Sequence, residues 1–155
     1  MSKAKVKTKT KAKTKTKAKT KTKTKTKTKA AAPKQAKGAP SAADRAALAK
    51  VSGLCLALPD TKLTMTWGSP HFRVGDKIFC GFDAVNGKQV LGVKLGLSHA
   101  RSVVSEPRFW PAPYVGKHGW VSMDVTQRKS WVEVSALIRE SYGLIAPKAS
   151  LAKLR

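Results

Sequence analysis

The sequence predicts a two-layer α+β domain: an antiparallel sheet of about five strands with helices packed on one face, preceded by a disordered tail. Three observations carry that prediction. Period-two runs of apolar residues are joined by the tight-turn signals Gly75-Asp76 and Asn86-Gly87. Two stretches with helical spacing, each opened by a capping residue, stand before and after those runs. Charge then separates tail from domain. The first 43 residues hold 16 of the 32 basic side chains and none of the eight acids, so the remainder, with 16 basic and eight acidic residues, is +8 in its own right.

From Lys3 to Lys29 every odd position is lysine, alternating with Thr, Ala or one Val. As a strand this segment would line up like charges with nothing apolar opposite, so disorder is expected. Such a tail binds polyanions by counterion release and without sequence preference; Lys5, Lys7, Lys9, Lys11, Lys13 and Lys15 represent its phosphate contacts. Residues 30–40 read as a Pro/Gly/Ala linker. The expected division is therefore 1–40 tail and linker, 41–148 α+β domain, and 149–155 a frayed basic end.

Ser41 with Asp44 caps a helix over about 42–57, with Leu48, Val51, Cys55 and Leu58 toward the core. Pro59-Asp60 stops it. Residues 62–67 alternate, Leu63, Met65 and Trp67 facing in and Lys62, Thr64 and Thr66 facing out. A hairpin follows, with Phe72 and Val74 and then Ile78, Cys80 and Phe82 inward, and Arg73, Lys77 and Phe79 outward. The strand from Lys88 to Leu95 points Lys88, Val90 and Lys94 outward. Ser98 caps a short helix ending near Glu106-Pro107. A Pro- and aromatic-rich connection then leads to a strand with Val121, Met123 and Val125 inward and Trp120, Ser122 and Asp124 outward. Ser130 and Glu133 form a capping box for the last helix, whose Trp131, Val134, Ile138 and Tyr142 share a face.

Collected together, the outward positions Lys62, Arg73, Lys77, Lys88 and Lys94, with Phe79 and Trp120 among them, predict a basic open face. Pro111, Pro113 and Gly116 stiffen a loop that presents Lys117 and His118. A face of this kind grips phosphates, and interleaved aromatics add base stacking. Lysine on exposed strands also discourages edge pairing, which is the competing explanation.

No catalytic, metal or cofactor site is expected. His71 and Cys80 fall on opposite faces by strand parity, and with His118 and Asp124 they form no His-x-x-x-His or Cys-x-x-Cys clamp. The acids are scattered. Cys55 and Cys80, the two cysteines of the chain, are read as buried reduced thiols. No run is long and apolar enough to span a bilayer and the N-terminus lacks the apolar core of a secretory signal, so a cytoplasmic protein is expected, nucleoid-associated through its lysine tail, with a nuclear address open if the host has a nucleus.

The segments WGSPHFRVGDKIFCGFD, VKLGLSHA, PAPYVGKHGWVSMDV and ALIRESYGLIAPK occur in an order that resembles the MmcQ/YjbR family over roughly residues 42–148. That resemblance implies a secretion-chaperone-like or CyaY-like α+β fold and the label DNA-binding. The expectation is a non-catalytic nucleic-acid-binding protein, with DNA as partner in preference to RNA and no small-molecule substrate. The alternative is a protein-interaction module that its tail localises on nucleic acid.

Overall fold

Six strands form one antiparallel sheet in the order β1-β2-β3-β4-β6-β5, in a computed structural model that describes residues 39–154. The lysine repeat, with the contacts expected at Lys5, Lys7, Lys9, Lys11, Lys13 and Lys15, lies outside the described residues. The strands are β1 (Thr61–Thr66), β2 (Ser69–Val74), β3 (Lys77–Val85), β4 (Lys88–Lys94), β5 (Phe109–Pro111) and β6 (Trp120–Asp124). The helices are α1 (Ala42–Leu56), α2 (Leu97–Val103), α3 (Trp131–Ile145) and α4 (Lys148–Leu151). The sixth strand is the three-residue β5, which the proline-rich sequence had hidden inside an irregular connection. A proline at the end of an outermost strand leaves the ladder intact, because its missing N–H faces away from the sheet.

α1 starts where its capping box requires. Ser41 Oγ accepts from the Asp44 amide at 3.1 Å, and the Asp44 carboxylate accepts from the Ser41 amide at 2.9 Å. That backbone bond, with those from the side chains of Ser41 and Gln89, holds the Asp44 carboxyl below the usual range. Val51, Cys55 and Leu58 are buried on the expected stripe. α3 buries Val134, Ile138 and Tyr142, and the Tyr142 ring meets Phe79 edge-on at 5.5 Å while its hydroxyl donates to the Pro59 carbonyl at 2.8 Å. The core lies between these two helices and the inward rows of the sheet, of which Phe72, Cys80, Val93 and Val121 form one and Phe82, Leu91, Met123 and Phe109 the next.

The structure corrects several local expectations. A bulge in β3 pairs Cys80 with Phe72 but Ile78 with Arg73, so the extra residue, Phe79, turns into the core and Ile78 moves to the open face. Lys77 pairs with Val74 and so belongs to the helix side, at the exposed end of the sheet. Leu63 and Met65 do share the inward parity of Phe72 and Pro70, yet they stay 44% and 68% exposed. α1 meets β1 at its start, where Thr61 Oγ1 donates to the Cys55 and Leu58 carbonyls, and leaves the Leu63 and Met65 side chains further along the strand open. Trp67 is in the turn rather than the strand.

Caps differ as well. Ser98 lies inside α2 and makes no cap; Gly96 holds that position, its amide donating to Glu140 Oε1 at 3.0 Å. Only half of the capping box at Ser130 forms. Ser130 Oγ accepts from the Glu133 amide, but the Glu133 carboxylate turns to Arg108 and the Lys129 amide. The segment after Pro147, expected to fray, forms α4, with Ser150 Oγ donating to Asp60 at 2.7 Å and Lys153 Nζ at 2.8 Å. Those two donors, Lys153 first, lower the Asp60 carboxyl.

Candidate nucleic-acid interface

The strand registers arrange the open face as rows that run across the sheet. One row reads Lys62, Arg73, Ile78, then Lys94 and Trp120. Two residues along each strand, about 7 Å away, the next reads Thr64, His71, Gly81, Gly92, Ser122 and Trp110. Beyond it lie Thr66 and Ser69 on the hairpin side and Asp83, Val90 and Asp124 toward the sheet centre. The face is therefore banded: basic with an aromatic along one side, the half-buried Asp83 along the other, and a glycine pair between; Asp124 shares the parity of Asp83 but is buried under its bonds to Thr126 and Gln127. Sequence parity placed Arg73, Lys62 and Lys94 here, but did not show Asp83 opposite them.

The predicted basic residues differ in how free they are. Arg73 is half-buried, its Nε donating to Thr64 Oγ1 at 3.2 Å and its Nη1 to the Asp76 carbonyl at 2.6 Å. Lys62 lies 3.7 Å from the fully exposed Asp76 carboxylate, a surface pair of little strength. Lys94 is half-buried beside Trp120, and Lys88 is exposed at the far end of β4, on the Asp83 side. Lys117 is exposed in the 3₁₀ turn Gly116–His118 just before β6. Gly119 closes that turn at φ +88°, where any Cβ would stand 2.3 Å from the Leu95 carbonyl oxygen. Its own carbonyl accepts from the Leu95 amide at 2.8 Å. This contact fixes Lys117 and Trp120 relative to the end of β4.

The residues considered for metal or thiol chemistry do not converge. His71 is on the open face, Cys80 is in the core, and Asp124 accepts from Thr126 and Gln127. Among the described residues no group of three His, Cys, Asp or Glu side chains could hold a metal ion. Burial, with Cys55 as its neighbour, pushes the Cys80 thiol up, so the unreactive thiol form is favoured.

Two features escaped the sequence reading. Arg108 is a buried cation, clamped by both Glu133 oxygens at 2.7 Å and by Glu106 at 2.7 Å, with its guanidinium 4.7 Å from the Phe109 ring centre. Nothing in the sequence around it distinguishes it from a surface arginine. The second is the glycine pair. Gly81 and Gly92 each interrupt a strand pattern, which signals close approach of another group to the backbone, but that they face each other follows only from the register. Beside them is a trough of about 300 Å³, walled by Trp67 and His71 on one side and Val90 on the other.

A two-layer α+β domain with helices on one face of the sheet and an open, charge-banded face on the other is the class these observations define. The chain belongs to the YjbR family, whose profile matches residues 56–144, more than half of its length. The fold is similar to that of a Deinococcus radiodurans protein with a DUF419 domain, at a TM-score of 0.60 and 19% identity over 69% of this chain and 86% of that one. A structural-genomics target from Pseudomonas syringae is also similar, at a TM-score of 0.47 and 23% identity over 55% and 86% of the two chains. Among curated proteins none matches. No helix among the described residues is long and apolar enough to cross a membrane.

Proposed function

We propose that this protein is a non-catalytic nucleic-acid binder, acting on DNA in preference to RNA, in which the lysine repeat supplies affinity and the basic band of the sheet supplies orientation. The observation that carries the reading is the repeat itself, lysine at every odd position from Lys3 to Lys29. No fold requires such a pattern, and a run of 14 positive charges without one acid favours a polyanion through counterion release. Lys62, Arg73 and Lys94 in one row, with Lys88 and Lys117 outside it, support a second contact surface. Lys77, on the helix side, is outside this surface.

The test is the salt dependence of duplex binding by the full chain. If about ten phosphates are engaged, log K falls with log salt at a slope near −9. Replacing Lys5, Lys7, Lys9, Lys11, Lys13 and Lys15 with Gln removes roughly 5 from that slope, whereas Arg73→Gln with Lys94→Gln removes about 2. A shallow slope in the unmodified chain sinks the reading.

One observation favours a protein-interaction module instead: the β1 edge, with Leu63 and Met65 exposed on the helix side. An edge strand flanked by apolar side chains suits strand addition by an extended peptide. Such binding responds little to salt, so the same titration separates the two readings.

A further inference from the structure

We propose that the open face takes single-stranded nucleic acid, an unstacked base lying over Gly92 beside the His71 ring and Trp67 while its backbone follows Lys94 and Arg73. This deepens the nucleic-acid reading and rests on it.

The argument begins with a misplaced tryptophan. Trp67 and Gly68 are the two central residues of the β1–β2 turn, at φ +52° and +77°. That turn strongly favours Asn-Gly, and a bulky side chain at positive φ is a true outlier. The strain is not offset by burial, since Trp67 is 87% exposed. The fold therefore gives no reason for tryptophan here, and strain that packing does not explain marks functional positions. Its ring meets the His71 ring edge-on at 5.9 Å, so the indole stands as a free-standing wall at the end of the trough.

The floor is equally specific. Gly81 and Gly92 face each other at the centre of the sheet, where strands ordinarily carry β-branched or aromatic residues. A Cβ at Gly81 would stand 3.1 Å from the His71 ring, whereas one at Gly92 would meet nothing closer than the Gly81 carbonyl at 3.9 Å. The space above Gly92 is thus open, and a flat group can rest there on bare backbone. The trough's volume, about 300 Å³, is at the lower end for ligand sites and suits one heteroaromatic ring system.

Polar groups fix the edges. His71 Nδ1 donates to the Ser69 carbonyl at 2.9 Å, which fixes the ring with Nε2 over Gly81. Thr66 and Ser69 line the trough on the side of Trp67. The charge banding then orients the strand. Phosphates are attracted to the Lys94 and Arg73 side and repelled from the Asp83 side, which puts bases over the glycines between them. A duplex cannot use this floor, because its bases are stacked and paired.

The test uses the full chain and three probes: oligothymidine of about 16 nucleotides, the corresponding duplex, and inorganic polyphosphate as a polyanion without bases. The variants are Trp67→Asn, which puts the preferred Asn-Gly pair in the turn, and Gly92→Val, whose Cβ meets nothing closer than 3.9 Å and whose methyls enter the trough. Oligothymidine is expected to quench tryptophan emission more than polyphosphate does, and each variant to bind oligothymidine about tenfold more weakly with polyphosphate and duplex affinities unchanged. If oligothymidine quenches no more than polyphosphate, or both variants bind it as the parent does, the trough holds no base although polyanion binding stands. If the parent chain binds none of the three probes, the nucleic-acid reading itself fails and takes this one with it.

Discussion

Replacing Arg108 with Met removes the one cation that two carboxylates share. In the structure the guanidinium is 6% exposed and makes bonds of 2.7 to 2.8 Å to Glu106 and Glu133. Breaking a buried pair by deleting one partner costs about 3–5 kcal/mol, because the remaining charge is left unsolvated. Here Glu133 is 24% and Glu106 40% exposed, and Lys129 remains 3.3 Å from Glu106, so water and one surface cation recover part of that cost. The expected loss at pH 7 is about 2–3 kcal/mol, the lost stacking on Phe109 included. Arg108 lowers the pKa of both carboxyls by its hydrogen bonds. A carboxyl with a depressed native pKa contributes stability that is complete above its unfolded value, about 4.3 for Glu, and that is lost as pH falls through the native value. The gap between parent and variant must therefore narrow below about pH 4. Urea unfolding of the full chain at pH 7 and in steps down to pH 3 reads both effects. A loss under about 1 kcal/mol at pH 7, or a gap that stays constant into acid, would show that the clamp is not what joins β5 to the start of α3.

Two further outcomes follow from the packing. Gly119→Ala forces a Cβ to within 2.3 Å of the Leu95 carbonyl at a positive φ, so it should lower the melting temperature by more than about 5 °C; an unchanged melt would refute the β4–β6 joint described above. Cys55 and Cys80, both with no exposed surface, should react with a thiol dye only at the rate of unfolding, and rapid native labelling of Cys80 would contradict its place in the core.

The elements of this domain were legible because their signals are local. Ser41 with Asp44, the spacing of Val51, Cys55 and Leu58, and the turn at Asn86-Gly87 depend on neighbours a few residues away, and β4 and β6 carry the alternation read from their sequences. The family was also legible, from separated segments that kept their order. What misled the reading was non-local. The bulge that exchanges Phe79 for Ile78 follows from how β3 pairs with β2, and it exists because Phe79 has Tyr142 to pack against, 63 positions on. Leu63 and Met65 have the right parity, but parity says which way a side chain points and not whether a helix arrives to cover it. Glu133 was read as half of a capping box because Ser130 is near in sequence; Arg108, near only in space, competes for its carboxylate and wins through two charged hydrogen bonds.

The candidate site divides in the same way. The concentration of lysine in the first residues, the basic character of the domain and the outward direction of Arg73, Lys62 and Lys94 are all legible in residue order alone. That Asp83 lies along one side of that face, that Gly81 and Gly92 meet, and that Trp67 stands beside them in a strained turn follows from the pairing of distant strands. Alternation is a property of one strand, since each residue's direction is set by its own backbone. Charge banding and the glycine floor are properties of register, which is set by how residues tens of positions apart pair and pack.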